Sequence, residues 1–318
     1  MKKIMASLVA IAALVGCSKS DDNGGISISE GTFPKKIVNK GSNGNVTNET
    51  IYNLQGGKIL STTSISYKPD GSIESKSLIS ASYEGDYPKE ITHTESITNG
   101  EKKNYTETYS FVDGKLKTTI KKYDNSDRAT TTTYSYHNDG KLAKVLFEEP
   151  GNAGQNGQIE KITFVTETDY THIGNVTSAA EKRYTKDAQG NKRDGNTSLT
   201  TYTYTFENEN LIKVTESTTD HESTIEYTYD GKNNPNLQNL KKLVDPDYFI
   251  SASGSKNNIL TEKTTYKGSH NASPYVSEYV YEYTYADNNY PLTEKVFRKR
   301  TENGVEKKEL VLTKEYTY

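Results

Sequence analysis

Five histidines are the side chains best suited to hold a metal or move a proton near neutral pH. They stand far apart, at His93, His137, His172, His221 and His270. None forms an HExxH pair or another close metal-ligand spacing. The chain has no GxSxG nucleophile elbow, no phosphate-binding loop and no dinucleotide fingerprint. Asp187, Gly190, Asn191, Asp194, Gly195 and Asn196 gather oxygen ligands and glycines as calcium loops do. Their spacing is not that of an EF-hand, and such clusters also make plain turns. Asp245-Pro246-Asp247 reads as a rigid turn rather than a carboxylate pair. No metal and no cofactor is therefore expected. A glycosidase pair hidden among the many acids is not something sequence alone can pick out.

The 25 tyrosines are the remaining chemistry. A buried tyrosine must find a partner for its hydroxyl, whereas an exposed row offers flat faces to sugars or peptides. Tyr279, Tyr281, Tyr283 and Tyr285 alternate with Val280, Glu282 and Thr284, so in a strand the four share one face. They are the candidate ligand-binding row. The competing reading is a set of core-facing strand residues.

Cys17 is the only cysteine. Met1-Lys2-Lys3 gives a positive start, Ile4 to Val15 an apolar run, and Leu14-Val15-Gly16 small or apolar residues just before it. The run is shorter than the roughly 20 residues that cross a bilayer. The segment resembles bacterial type II signal sequences, and that resemblance implies cleavage before Cys17 and a diacylglyceryl thioether plus an N-acyl group on it. Several acyl chains make a stable membrane anchor. An acylated Cys17 leaves no thiol for a disulfide or a nucleophile. Ser18 to Gly25 has the composition of a solvated tether, and Asp21-Asp22 within it resembles the surface-export signal of Bacteroidetes lipoproteins. The expected division is residues 1–16 as signal peptide, 17–30 as lipidated tether and 31–318 as one β-rich domain. The expected address is the outer membrane, lipid-anchored and facing the cell exterior.

A net charge of −3 gives no basic field for nucleic acid. The hydrophobic fraction of 32% is low enough to suggest disorder, but the abundance of tyrosine argues against it. Tyr and Thr favour strands, and here they alternate. One unit recurs: a Tyr/Thr strand, a turn of Asp, Asn and Gly, then a Lys-Leu-x-x-apolar strand. Tyr109 to Leu116, Tyr134 to Leu142 and Tyr202 to Ile212 are its best copies. A two-residue Asp113-Gly114 loop sets Phe111 opposite Leu116, with Ile120 on the same side. Asp139-Gly140 likewise sets Tyr136 opposite Ala143 and Tyr134 opposite Val145. At Asn208 the same geometry would put Tyr204 opposite Lys213. A three-residue loop, Asn208 to Asn210 with Asn210 left-handed, restores Phe206 opposite Ile212 and Tyr204 opposite Val214. Longer loops are expected at 151–158, 187–198, 233–239 and 268–274.

Tyr134-x-Tyr136 followed by Asp139-Gly140-Lys141-Leu142 resembles the YD repeat of RHS proteins, although the chain has too few copies to enclose a toxin. With the lipobox, Asp21-Asp22, the Tyr-rich hairpins and Tyr227 to Pro235, it is also similar to Bacteroidetes lipoproteins carrying a domain of unknown function with a porin-like fold. That resemblance implies a large antiparallel sheet that curls or closes like a barrel, and no activity. A transmembrane barrel confines its aromatics to two girdles around an apolar band. The spread of tyrosine along whole strands therefore points to an all-β hairpin meander that is curled or barrel-like and not membrane-spanning. The expected function is a non-enzymatic binding module for an extracellular polysaccharide or an envelope protein. A structural envelope component is the alternative, and an unrecognised hydrolase the third reading.

Overall fold

The computed structural model describes residues 31–97, 102–126, 128–155, 158–193, 197–238, 244–268, 273–302 and 305–318. Eighteen strands run in chain order among them: β1 (Lys36–Gly41), β2 (Val46–Gln55), β3 (Lys58–Tyr67), β4 (Ile73–Glu84), β5 (Tyr87–Ile97) and β6 (Lys102–Val112). They continue through β7 (Lys115–Tyr123), β8 (Ala129–Tyr136), β9 (Leu142–Gln155), β10 (Gln158–Ile173), β11 (Val176–Lys186) and β12 (Ser198–Glu207). The last third is β13 (Asn210–Ser217), β14 (His221–Tyr229), β15 (Ile259–Gly268), β16 (Tyr275–Tyr285), β17 (Pro291–Glu302) and β18 (Val305–Thr317). Each pairs antiparallel with the next, and β1 closes on β18 from Lys36↔Thr317 to Gly41↔Leu312. The result is an up-and-down barrel with the start of β1 and the end of β18 at one mouth, as an even strand number requires.

The sheet closes, which decides between the two expected forms, curled and barrel-like, for the barrel. One part of the expected fold is corrected: the expectation of a barrel that does not span a membrane falls. It was drawn from the composition of two strand faces, and composition does not decide closure. A closed ladder of 18 strands pairs its backbone polar groups between strands, the condition for strands to lie in hydrocarbon. Among the described residues no helix is long and apolar enough to cross a membrane, which says nothing of a β-barrel. The outer wall carries ion pairs, among them Lys36–Glu49 at 2.8 Å, Lys144–Glu167 at 2.7 Å and Lys186–Glu148 at 2.6 Å. Ile51, Leu78, Ile120 and Leu199 stand exposed between such pairs.

The tyrosine face is the lumen. Tyr52, Tyr109, Tyr134, Tyr170 and Tyr204 are buried there with Ile59, Ile79, Ile91, Leu116, Leu142 and Leu211. This core lies toward the mouth that holds the chain ends. The segment between β14 and β15 turns into that mouth through short 3-10 turns at Pro235–Gln238, Tyr248–Ile250 and Ala252–Gly254.

The hairpin register departs from the sequence reading through one repeated device. Asp113-Gly114 and Asn208-Glu209 are both two-residue turns with positive φ at each residue (51° and 73°; 49° and 65°), the type I′ geometry. Just inside each turn one strand carries an extra residue. Register shifts occur at Ser110/Phe111, Ser135/Tyr136 and Thr205/Phe206, and likewise in the hairpins that join β2 to β3, β4 to β5, β14 to β15 and β16 to β17. Tyr204 does face Val214, but through this bulge, with Phe206 on Leu211 rather than Ile212. Tyr136 faces Leu142 rather than Ala143, and Tyr134 faces Val145 as expected. Past the bulge the faces exchange, so Phe111 pairs with Leu116 inside while Ile120 turns outward. Gly151 to Gln155 is strand rather than loop. Phe164 covers Gly151, where a Cβ would come within 2.4 Å of the ring.

Candidate ligand-binding lumen

At the closed mouth, or base, hairpin bulges leave carbonyls outside the ladder. At six of them a side chain from beyond the hairpin takes the carbonyl up. Tyr83 donates to Ile59 O at 2.8 Å, Tyr136 to Leu116 O at 2.9 Å and Tyr229 to Leu211 O at 2.6 Å. Tyr283 donates to Ile259 O at 2.9 Å, and Tyr318 to Pro291 O at 3.1 Å. His172 replaces tyrosine at Leu142 O, its Nε2 at 2.7 Å. Burial pushes the hydroxyls of Tyr83 and Tyr229 up to about 12, so both are neutral donors at physiological pH.

The inserted segment is stitched to the same layer. Ser255 Oγ accepts from Leu211 N at 3.0 Å and donates to the Tyr229 hydroxyl at 3.0 Å. Asp230 accepts from Asn258 N at 3.1 Å and from the Tyr285 hydroxyl. Tyr170 donates to Asp247 at 3.4 Å, and the Phe249 ring lies 6.0 Å from His172 and 6.1 Å from Phe206. Phe33 packs edge-on against Tyr52 at 4.9 Å. The base is thus a filled layer.

The opposite mouth is built differently. Four lumen-side aromatics at its rim are exposed: Tyr123 at 41%, Phe164 at 46%, Tyr266 at 37% and Tyr275 at 56%. Polar groups hold them from the side. His221 stacks on Tyr266 at 5.3 Å, Arg298 donates to the Tyr275 hydroxyl at 3.1 Å, and Tyr123 lies 5.4 Å from Tyr105. Tyr105 is stacked on His93 at 4.0 Å, with the Lys121 ammonium 3.7 Å from its ring centre. The rings stay open to solvent, with Lys121 beside Tyr123 and Arg298 beside Tyr275.

Between base and rim the lumen wall is lined with acids. Glu107 accepts from Tyr109 at 2.7 Å and touches His93 at 3.4 Å. Burial opposes its charge, but His93, Tyr109 and Lys121 outweigh burial and hold its carboxyl below the usual range. Glu294 is bound by Lys314 at 2.7 Å and Tyr316 at 2.6 Å. Among the described residues Glu262 has Tyr281 alone, at 3.3 Å; burial raises its carboxyl above the ordinary value.

The predicted tyrosine row divides between these layers. Tyr283 and Tyr285 belong to the base, bound to Ile259 O and Asp230. Tyr281 and Tyr279 line the wall above, beside Glu262. Cys17, Asp21, Asp22 and His270 lie outside the described residues, as do Asp194, Gly195 and Asn196. Asp187 is satisfied within its own turn, accepting from Gln189 N at 2.9 Å and Asn191 N at 2.8 Å. Asp245 O accepts from Tyr248 N at 3.0 Å, a turn as expected. The fold brings the rings of His137 and His172 to 5.9 Å, a pairing their separation in sequence hides. Among the described residues no three His, Cys, Asp or Glu form a metal-binding group. The rim aromatics and Glu262 escaped the sequence reading. Tyr123 ends β7, Tyr275 begins β16 and Tyr266 lies two residues from the end of β15, a signal that was available.

No family model matches the chain, and no curated protein matches it. A solved structure of a porin-like protein from Bacteroides uniformis aligns with 89% of this chain and 96% of its own at 11% identity, with a TM-score of 0.40. A likeness that distant carries no argument about function.

Proposed function

We propose that this chain is a lipid-anchored outer-membrane barrel that binds a polar polymer, a polysaccharide first, through its aromatic mouth and lumen, without catalysis. The observation that carries the reading is the contrast between a base whose tyrosines clamp backbone carbonyls and half-buried carboxylates and a rim whose aromatics are exposed. Free rings flanked by Arg298, His221 and Lys121 suit the flat faces and hydroxyls of sugars. With acylation at Cys17, a tether over residues 17–30 reaches at most about 50 Å. Both ends of the barrel wall sit at the base, so the tether joins the barrel there and the aromatic mouth lies at the far end. Asp21-Asp22 as an export signal would put that mouth outside the cell.

A thermal-shift screen of the purified protein against neutral and acidic polysaccharides tests the reading, because a ligand of the native state raises the melting temperature by mass action. A shift abolished by Tyr266→Ala with Tyr275→Ala, in a variant with unchanged melting temperature alone, is the expected result. A shift that survives both substitutions would place binding elsewhere. Palmitate labelling, lost in Cys17→Ala, tests the anchor.

A further inference from the structure

Several lumen acids have a cation of their own: Glu181 has Arg183 at 2.8 Å, Glu294 has Lys314 at 2.7 Å and Glu309 has Arg300 at 3.2 Å. Glu262 is different. It is half-buried in the wall, and among the described residues no Lys, Arg or His lies within ion-pair distance of it. Its one hydrogen bond comes from the Tyr281 hydroxyl at 3.3 Å. A half-buried carboxylate without a counterion is costly, and burial accordingly raises its proton affinity with nothing cationic to offset it.

The neighbours of this carboxylate are aromatic. In the sheet Glu262 sits directly between Tyr227 on β14 and Tyr279 on β16, with Tyr281 diagonal to it. The hydroxyls of Tyr227 and Tyr279 have no protein partner among the described residues. All four side chains are only partly buried, on the lumen side above the base. An acid flanked by three tyrosines, two of them with hydroxyls free of a partner among the described residues, offers what an ammonium group requires: charge neutralisation from the carboxylate and ring quadrupoles beside it.

We propose that Glu262, Tyr227, Tyr279 and Tyr281 form a lumenal site for an organic ammonium group, the cation that Glu262 lacks among the described residues. The site rests on the reading that the lumen admits ligand and names the chemistry of what it takes. Such a group comes from an amino sugar or from a methylated ammonium headgroup, which differ in whether hydroxyls accompany the charge.

Calorimetric titration of the full-length protein with glucosamine, choline and uncharged N-acetylglucosamine tests this. At least one ammonium compound should bind ten or more times tighter than N-acetylglucosamine. Preference for glucosamine assigns an amino-sugar ligand, and preference for choline a methylated one. Glu262→Gln, which keeps the shape and the Tyr281 hydrogen bond, should weaken that binding at least tenfold while circular dichroism stays unchanged. Tyr279→Leu, at a ring without a hydroxyl partner, should weaken it severalfold and serves if the first variant does not fold. Equal affinity for charged and uncharged compounds, or unchanged affinity in the folded variants, overturns the proposal. Polysaccharide shifts with no ammonium binding would sink this site alone. Ammonium binding with no polymer shift would sink the aromatic mouth alone.

Discussion

The base and the rim of this barrel use the same residue type to opposite ends. At the base, Tyr83, Tyr136, Tyr229, Tyr283 and Tyr318 each donate to a carbonyl freed by a bulge. At the rim, Tyr123, Tyr266 and Tyr275 are more than a third exposed. A tyrosine with a buried acceptor is a structural clamp, and one without it is a platform. The hydroxyl's partner, set by the bulge, decides which.

The largest effect that sharpens this contrast comes from the base core. Leu116 and Leu211 are 2% and 1% exposed, so Leu116→Ala or Leu211→Ala should cost about 2–5 kcal/mol in denaturant unfolding. Tyr275→Ala at the rim should cost less than about 0.5 kcal/mol. Equal losses at both ends would break the comparison. Next in size is a clamp hydroxyl. Tyr229→Phe strands Leu211 O and removes the partner of Ser255, and should cost about 1–3 kcal/mol. Tyr279→Phe should leave unfolding unchanged.

The two wall acids should respond oppositely to pH. Glu107 has a lowered folded-state pKa, so it contributes stability above the ordinary carboxylate range that is lost as pH falls through the folded value. Glu107→Gln should therefore be less stable than the parent near neutral pH, with the gap closing in acid. Glu262 has a raised folded-state pKa, so folding is penalised as pH rises past the ordinary carboxylate value. Glu262→Gln should be more stable near neutral pH, again with the gap closing in acid. Melting curves of both variants from acid to neutral pH check the two signs together, and equal signs would break the contrast between a paired and an unpaired acid.

The smallest effect lies in a turn. Glu209 adopts φ 65°, where an L side chain is strained. Its ion pair with Lys256 is exposed and weak. Glu209→Gly should raise stability by about 0.5 kcal/mol, read as a small rise in melting temperature.

Much of the fold was legible along the chain. Alternating Tyr and Thr marked strands, and Asp113-Gly114 and Asp139-Gly140 marked turns, because period-two patterning and positive-φ residues are local properties. The bulges were not legible. A single extra residue changes no composition, yet it sent Ile120 to the outside and set Tyr204 against Val214 through a two-residue turn. The candidate site was half legible. The row from Tyr279 to Tyr285 was visible as a row, but not that its lower half is bound to Ile259 O and Asp230 while its upper half flanks Glu262.

The sequence by itself determined that this chain is built of antiparallel hairpins with a tyrosine face, since alternation and turn residues act within a few positions. Only the tertiary structure decided that β1 meets β18, that the tyrosine face turns inward, and which tyrosines remain free. Those outcomes depend on partners brought together across the barrel. His172 meeting Leu142, Tyr285 meeting Asp230 and Glu262 meeting no cation among the described residues are relations between distant strands that no local pattern records.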